Sequence, residues 1–152
     1  MEKNLSNLLQ KKKAQVSAGT AINWDERRDK YLAAVHDLYR QIDSIFAEAV
    51  QDRTITISRR SKQLSEDYIG TYSVDDLVLL IGDEQVRFSP RGRSVVGAEG
   101  RVDVVGERGV ATLIVPSDSK WAFVQSRQPH LRIVPFSDST LAEVLQLVMR
   151  DR

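Results

Sequence analysis

The chain has 152 residues, of which 41% are hydrophobic and 28% are charged, and its formal net charge is +1. This composition is typical of a globular domain, and the near-zero charge argues against a whole-protein field that attracts nucleic acid or acidic membranes. The sequence contains no cysteine, which excludes disulfides, thiolate metal sites and thiol nucleophiles.

The sequence also bears on the compartment. It has no run of the roughly 18 apolar residues that a membrane helix needs. Its first residues lack the pattern of a secretory signal, because Lys11–Lys13 follow the leucines instead of preceding them. The absence of cysteine fits a reducing environment. We therefore expect a cytoplasmic protein that does not enter a membrane.

Residues 1–22 predict a short helical or flexible N-terminal arm. Leu5, Leu8 and Leu9 have helical spacing, and Lys11–Lys13 follow them directly. This pattern is typical of a solvated helix end, and its alternative is a basic arm that touches phosphate or acidic lipid. The rest of the chain, 23–152, is predicted to form a single α+β domain.

Residues 23–52 predict one long amphipathic helix. Asn23 can cap it, and Glu26 follows three residues later, as in a capping box. From Tyr31 onward the apolar residues recur at alternating steps of four and three, which is heptad spacing and puts them on one seam. Together with Trp24, this seam forms an apolar stripe along the helix. The predicted protein interface consists of five residues of the stripe: Trp24, Tyr31, Val35, Leu38 and Ile42.

After Arg53 the hydrophobic period changes from that of a helix to that of a strand. The apolar run 77–81 predicts a central strand, and Asp75 and Asp76 predict a turn before it. The loops are too short for crossover helices, so the strands are predicted to form an antiparallel meander. The candidate strand segments, not all of which need form separate strands, are 54–58, 68–74, 77–81, 84–88, 94–96, 101–105, 110–115, 121–124 and 131–134.

A C-terminal helix is predicted over 138–150. Ser137 is one of several capping residues before it, and its apolar face comprises Leu141, Val144, Leu145 and Val148. The complete order predicts an α+β fold. It has a short N-terminal helix, a long amphipathic helix, an antiparallel meander of about seven or eight short strands in an open sheet or partly closed barrel, and a C-terminal helix.

The sequence offers no catalytic set. His36 and His130 are the two histidines, and neither stands in a metal-binding motif such as His-Glu-x-x-His. We interpret His36 as a helix-surface residue and His130 as a loop residue, with proton transfer by His130 as the alternative. No catalytic residue, metal site or cofactor is predicted.

Positive charge is unevenly distributed between residues 59 and 101. Arginine binds phosphate or carboxylate bidentately, but on a strand it can also keep the sheet edge from pairing with another chain. An acidic protein partner is a further alternative. The candidates for anion or nucleic-acid binding are Arg59, Arg60, Lys62, Arg87, Arg91, Arg93 and Arg101.

These patterns favour a small non-enzymatic interaction module that self-associates as a dimer through part of the long helix. Because the meander can cover most of the helix stripe, the end near Trp24 and Tyr31 is expected to contact the second subunit. The alternative is nucleic-acid or anion binding through the arginines. A second alternative is a small-ligand or enzyme pocket between sheet and helices, with His130, Asp103 or Glu99 as its polar groups.

Overall fold

A computed structural model of the chain describes residues 23–92, 99–116 and 120–150. Helix comes first, a meander of seven antiparallel strands follows, and a helix closes the order. The predicted α+β fold is confirmed, and the sheet is open, with the first and last strands at its edges. The short helix predicted within 1–22 and the strand predicted at 94–96 lie outside the described residues.

The first helix, α1 (Trp24–Ile45), begins as predicted, because the Asn23 side chain accepts a hydrogen bond of 3.0 Å from the Glu26 backbone N–H. The prediction of one unbroken helix is wrong at Phe46, where a turn separates α1 from α2 (Ala47–Gln51). Phe46 is half-buried and packs against the core. No glycine or proline signals this turn in the sequence.

The strands pair in chain order, each antiparallel to the next. The predicted turn at Asp75 and Asp76 is wrong, because both residues lie inside one strand, where they pair with Ser61 and Arg60. Cationic side chains on neighbouring strands bind the Asp76 carboxylate and offset the weak strand preference of aspartate. The strands are β1 (Ile55–Glu66), β2 (Gly70–Ile81), β3 (Glu84–Gly92), β4 (Gly100–Val105), β5 (Val110–Val115), β6 (Ala122–Ser126) and β7 (Arg132–Pro135).

The last helix, α3 (Asp138–Val148), starts at Ser137, which forms a capping box with Thr140. Helices α1 and α3 bury their apolar faces in one hydrophobic cluster with the sheet. Burial of this apolar surface is the main favourable term in folding. The sheet residues at its centre are Leu77, Leu79, Val86, Phe88, Val102, Val104, Leu113 and Phe123.

Candidate functional site

The predicted interface residues of α1 occupy two different environments. Tyr31, Val35, Leu38 and Ile42 are at most 3% exposed and pack against the chain's own sheet. Trp24 is partly exposed, and its ring stacks on that of Tyr68 with the centroids 5.3 Å apart. Only the N-terminal end of the stripe therefore remains accessible within the described chain.

Two tyrosines of α1 place their hydroxyls against the sheet backbone. Tyr31 donates to the Arg101 carbonyl over 2.7 Å and accepts from the Gly92 N–H over 3.0 Å. Tyr39 donates to the Asp75 carbonyl over 2.6 Å, where β2 leaves its pairing with β3. Burial raises the pKa of both phenols well above the ordinary range. The two hydroxyls therefore tie α1 to the backbone of the sheet by hydrogen bonds.

Replacing Tyr39 with phenylalanine is expected to lower the free energy of unfolding by about 1–2 kcal/mol at neutral pH, because a buried carbonyl loses its donor. Urea unfolding measures this loss. Above pH of about 10 the parent protein should lose stability, because Tyr39 ionises in the unfolded chain while the folded state keeps its proton. The phenylalanine variant should lose less over that range.

The control for this prediction is Tyr68→Phe, because Tyr68 is 83% exposed at the tip of the β1–β2 hairpin. Its stability should match that of the parent within about 0.5 kcal/mol. Equal losses in the Tyr39 and Tyr68 variants would contradict a special role for the buried hydroxyl.

Five basic side chains share one face of the sheet. Side chains of paired residues lie on the same side, and Arg60 pairs with Asp76 while Ser89 pairs with Asp103. The alternate residues of these strands, such as Phe88, are buried against the helices. We call the opposite side the basic face and define it as Arg60, Lys62, Arg87, Arg91 and Arg101 together with Asp76, Ser89 and Asp103.

On the basic face, Asp76 is shared by two cations. The Lys62 Nζ lies 2.7 Å from Asp76 Oδ1, and the Arg87 Nε lies 3.6 Å from Oδ2. Lys62 also donates to the Ser89 hydroxyl over 2.6 Å, so its side chain links β1 to β3 across β2. Asp76 Oδ1 and Arg87 Nε are buried and have no hydrogen-bond partner among the described residues. Lys62 and Arg87 therefore contact Asp76 as ion pairs and not through hydrogen bonds.

Asp103 holds a second pair of cations. Arg101 donates to it bidentately, with Nε 2.7 Å from Oδ1 and Nη2 3.3 Å from Oδ2, while the Arg91 Nε lies 3.6 Å from Oδ2. The side chain of Asp103 is 11% exposed, whereas that of Arg91 is 59% exposed. The carboxylates are thus buried below cations that remain in contact with solvent, and the basic face carries more positive than negative charge.

The remaining basic candidates do not all join this face. Arg59 points to the other side of β1, where its guanidinium lies 3.7 Å from the Asp43 carboxylate and 5.3 Å from the Tyr39 ring centroid. Arg93 lies outside the described residues. Arg60 is exposed on the basic face, opposite Asp76 in the register. Of the candidates that the structure describes, all except Arg59 therefore lie on the basic face.

Two of the predicted pocket residues lie on different elements of the fold. Asp103 belongs to the basic face on β4, while His130 is exposed in the loop before β7. His36 lines a shallow groove of about 200 Å³ between α1 and the β1–β2 hairpin, with Arg59 and Asp75. In the described parts of the chain, no group of three or more His, Asp or Glu side chains could hold a metal ion.

Two parts of the basic face were not recognised as such in the sequence. Local preference predicts a turn at Asp76, so its role as a shared carboxylate depends on a strand that the local pattern does not predict. Ser89 alternates with Arg87 and Arg91, and this period of two was a usable signal that it shares their face. The pairing of Ser89 with Asp103 needed the register of β3 on β4.

Comparison with other proteins does not assign the chain to a family. No protein-family model matches it, no curated protein matches it, and no solved structure matches it. Among the described residues, no helix has the length and apolar character needed to cross a bilayer. Function is therefore inferred from the contacts and charges of the described side chains.

Proposed function

We propose that the protein is a non-enzymatic cytoplasmic interaction module whose basic face binds an acidic segment of another protein. One observation supports this most strongly: five cations lie on one face of the sheet, where the carboxylates of Asp76 and Asp103 each bind two of them. A carboxylate-rich partner would find complementary charge there, which favours specific and rapid association. The lack of cysteine supports the cytoplasmic part of the proposal.

The two carboxylates do more than reduce the positive charge. Each one holds two cations by ion pairs and is itself nearly buried, with 14% of the Asp76 side chain and 11% of the Asp103 side chain exposed. Ordering a long basic side chain on binding usually costs conformational entropy. Because Lys62 and Arg101 are already held in place, part of that cost is met during folding.

An acidic protein segment fits this face better than nucleic acid does. Among the described residues, the strongly exposed aromatic side chain is Tyr68, which lies at the hairpin tip and not among the cations, so stacked bases would find no aromatic platform on the described part of the basic face. The whole-chain charge of +1 adds little general attraction to nucleic acid.

Self-association as a dimer is the second candidate function, and the accessible end of the α1 stripe is the observation that favours it. Trp24 stacks on Tyr68, which is 83% exposed, and the Arg27 guanidinium lies 5.5 Å from the Trp24 ring. Exposed aromatic and arginine side chains are enriched among the residues that dominate protein interfaces. A dimer contact would therefore use this end of α1 rather than the seam buried beneath it.

Fluorescence anisotropy at low ionic strength tests the primary proposal. The probe is a labelled peptide of about eight residues, an ordinary strand length, that alternates glutamate with threonine; we call it the Glu–Thr peptide. The double variant Arg60→Glu/Arg91→Glu is expected to weaken its binding by about tenfold or more, because both side chains are exposed cations of the basic face. Binding by the parent protein should also weaken as salt is added.

The matched control is Lys30→Glu/Arg40→Glu, which makes the same charge change on the exposed side of α1. It should change the affinity by no more than about threefold, since long-range charge effects are screened. Equal losses in both variants, or the absence of peptide binding by the parent, would overturn the proposal. Single-stranded DNA that binds more tightly than the peptide and loses affinity steeply with salt would replace the acidic protein with nucleic acid.

A further inference from the structure

The long edge strand β1 carries an inference that rests on the proposed function and gives its partner a binding mode. β1 pairs with β2 on one side only, and in the described residues no strand lies on its other side. It is 12 residues long, about twice the length of an ordinary strand. Its outer edge therefore presents a row of backbone N–H and C=O groups, which is a template for one more strand.

Side chains in the middle of β1 are exposed on both faces of the sheet. Ser58, Arg59, Arg60 and Ser61 are all exposed, although successive side chains of a strand point in opposite directions. Helix α2 also contacts β1, but α2 ends only four residues before that strand begins. The edge of β1 at residues 58–61 is therefore where we place an added extended chain.

The charge on β1 selects the kind of chain that can pair there. Arg60 and Lys62 lie on the basic face, and Arg59 lies on the opposite face, so alternate residues of an added strand would meet cations on either side. A second copy of β1 is a poor occupant. Antiparallel self-pairing centred on Arg60 would place the two Arg60 side chains opposite each other, and pairing centred on Ser61 would place Arg60 opposite Lys62. Directly opposed like charges destabilise a sheet.

We propose that an extended acidic segment of the partner protein adds to the edge of β1 as a further strand of the sheet. Backbone hydrogen bonds supply part of the affinity in this mode, and the side chains supply specificity. Acidic residues at every second position of the segment lie beside Arg60 and Lys62, next to the rest of the basic face. The added strand lies beside the basic face, so one partner contacts both the edge of β1 and the basic face.

N-methylation of the Glu–Thr peptide tests strand addition with the full chain. In an added strand only alternate N–H groups point towards β1, so methylating the amides of one residue type removes those hydrogen bonds and methylating the other removes none. We expect one methylated peptide to lose about tenfold or more in affinity and the other to stay within about threefold of the parent peptide.

Three results are distinguishable. Equal affinities of the two methylated peptides, whether retained or lost together, would overturn strand addition while binding of the unmethylated peptide still supports the proposed function. Failure of the unmethylated peptide to bind would remove the proposed function itself. As an independent measurement, hydrogen exchange at the amides of residues 58–61 should slow when the unmethylated peptide is added, whereas exchange along β7 should not; unchanged exchange at 58–61 would also overturn strand addition.

Discussion

Replacing Leu38 with alanine is expected to lower the free energy of unfolding by about 2–5 kcal/mol. Leu38 is 0% exposed in the middle of α1 and packs in the main hydrophobic cluster. The truncation removes apolar contacts and leaves a cavity that the surrounding sheet cannot fully close. Urea unfolding would measure this loss in the free energy of unfolding. Circular dichroism would follow the transition through the signals of the helices and the sheet.

The matched control is Leu147→Ala, the same change at a helix position that is 50% exposed. It should cost less than about 1 kcal/mol, since little apolar surface returns to water. Light scattering on both variants and the parent adds the oligomeric state. A Leu38 variant that turns a dimer into monomers at unchanged monomer stability would show that the seam is an interface and contradict its role in the core.

The sequence and the structure agree best on α1. The heptad spacing from Tyr31 predicted both the helix and its apolar stripe, because a helical period is a local property of the chain. Which surface covers the stripe is not local, and the structure shows that the chain's own sheet does so. The turn at Phe46 escaped prediction for the same reason: packing against the core, rather than a helix-breaking residue, accompanies it.

The strand meander was predicted from alternation and from its glycine and proline punctuation, but two aspartates misled the boundary of β2. Asp75 and Asp76 are turn residues by local preference. In the fold, the Asp76 carboxylate meets Lys62 and Arg87 on the two neighbouring strands. Such partners lie far away in sequence, so local preference gave the wrong element where tertiary contacts decided it.

The basic face was predictable only in part. Arg59 and Arg60 are adjacent, so the strand period alone separates them onto opposite faces once β1 is recognised. That Arg101 and Arg91 meet at Asp103 depends on the register between β3 and β4, which includes an irregularity between Pro90 and Gly92. Charge density in the sequence identified the cations, and the sheet register decided which of them act together.

The turn between β4 and β5 is tightly docked on the C-terminal end of α3, and Gly106 is the residue that allows it. A Cβ atom at Gly106 would lie 2.2 Å from the Val148 carbonyl oxygen, which is a backbone atom. That oxygen accepts a hydrogen bond of 2.9 Å from the Arg108 N–H, and the Val148 side chain is 0% exposed. The end of the helix therefore cannot move away without losing both contacts.

Gly106→Ala is accordingly expected to lower the free energy of unfolding by about 3 kcal/mol, near the upper end of the usual cost of overpacking. Gly109→Ala is its matched control in the same turn, because a Cβ atom there meets nothing closer than the Leu147 carbonyl oxygen at 3.9 Å. The control should stay within about 0.5–1 kcal/mol of the parent. Thermal and urea unfolding of the two variants decide the matter: equal stability would contradict the close docking of this turn, whereas a selective loss in Gly106→Ala shows that the helix end is held against the sheet by backbone contact.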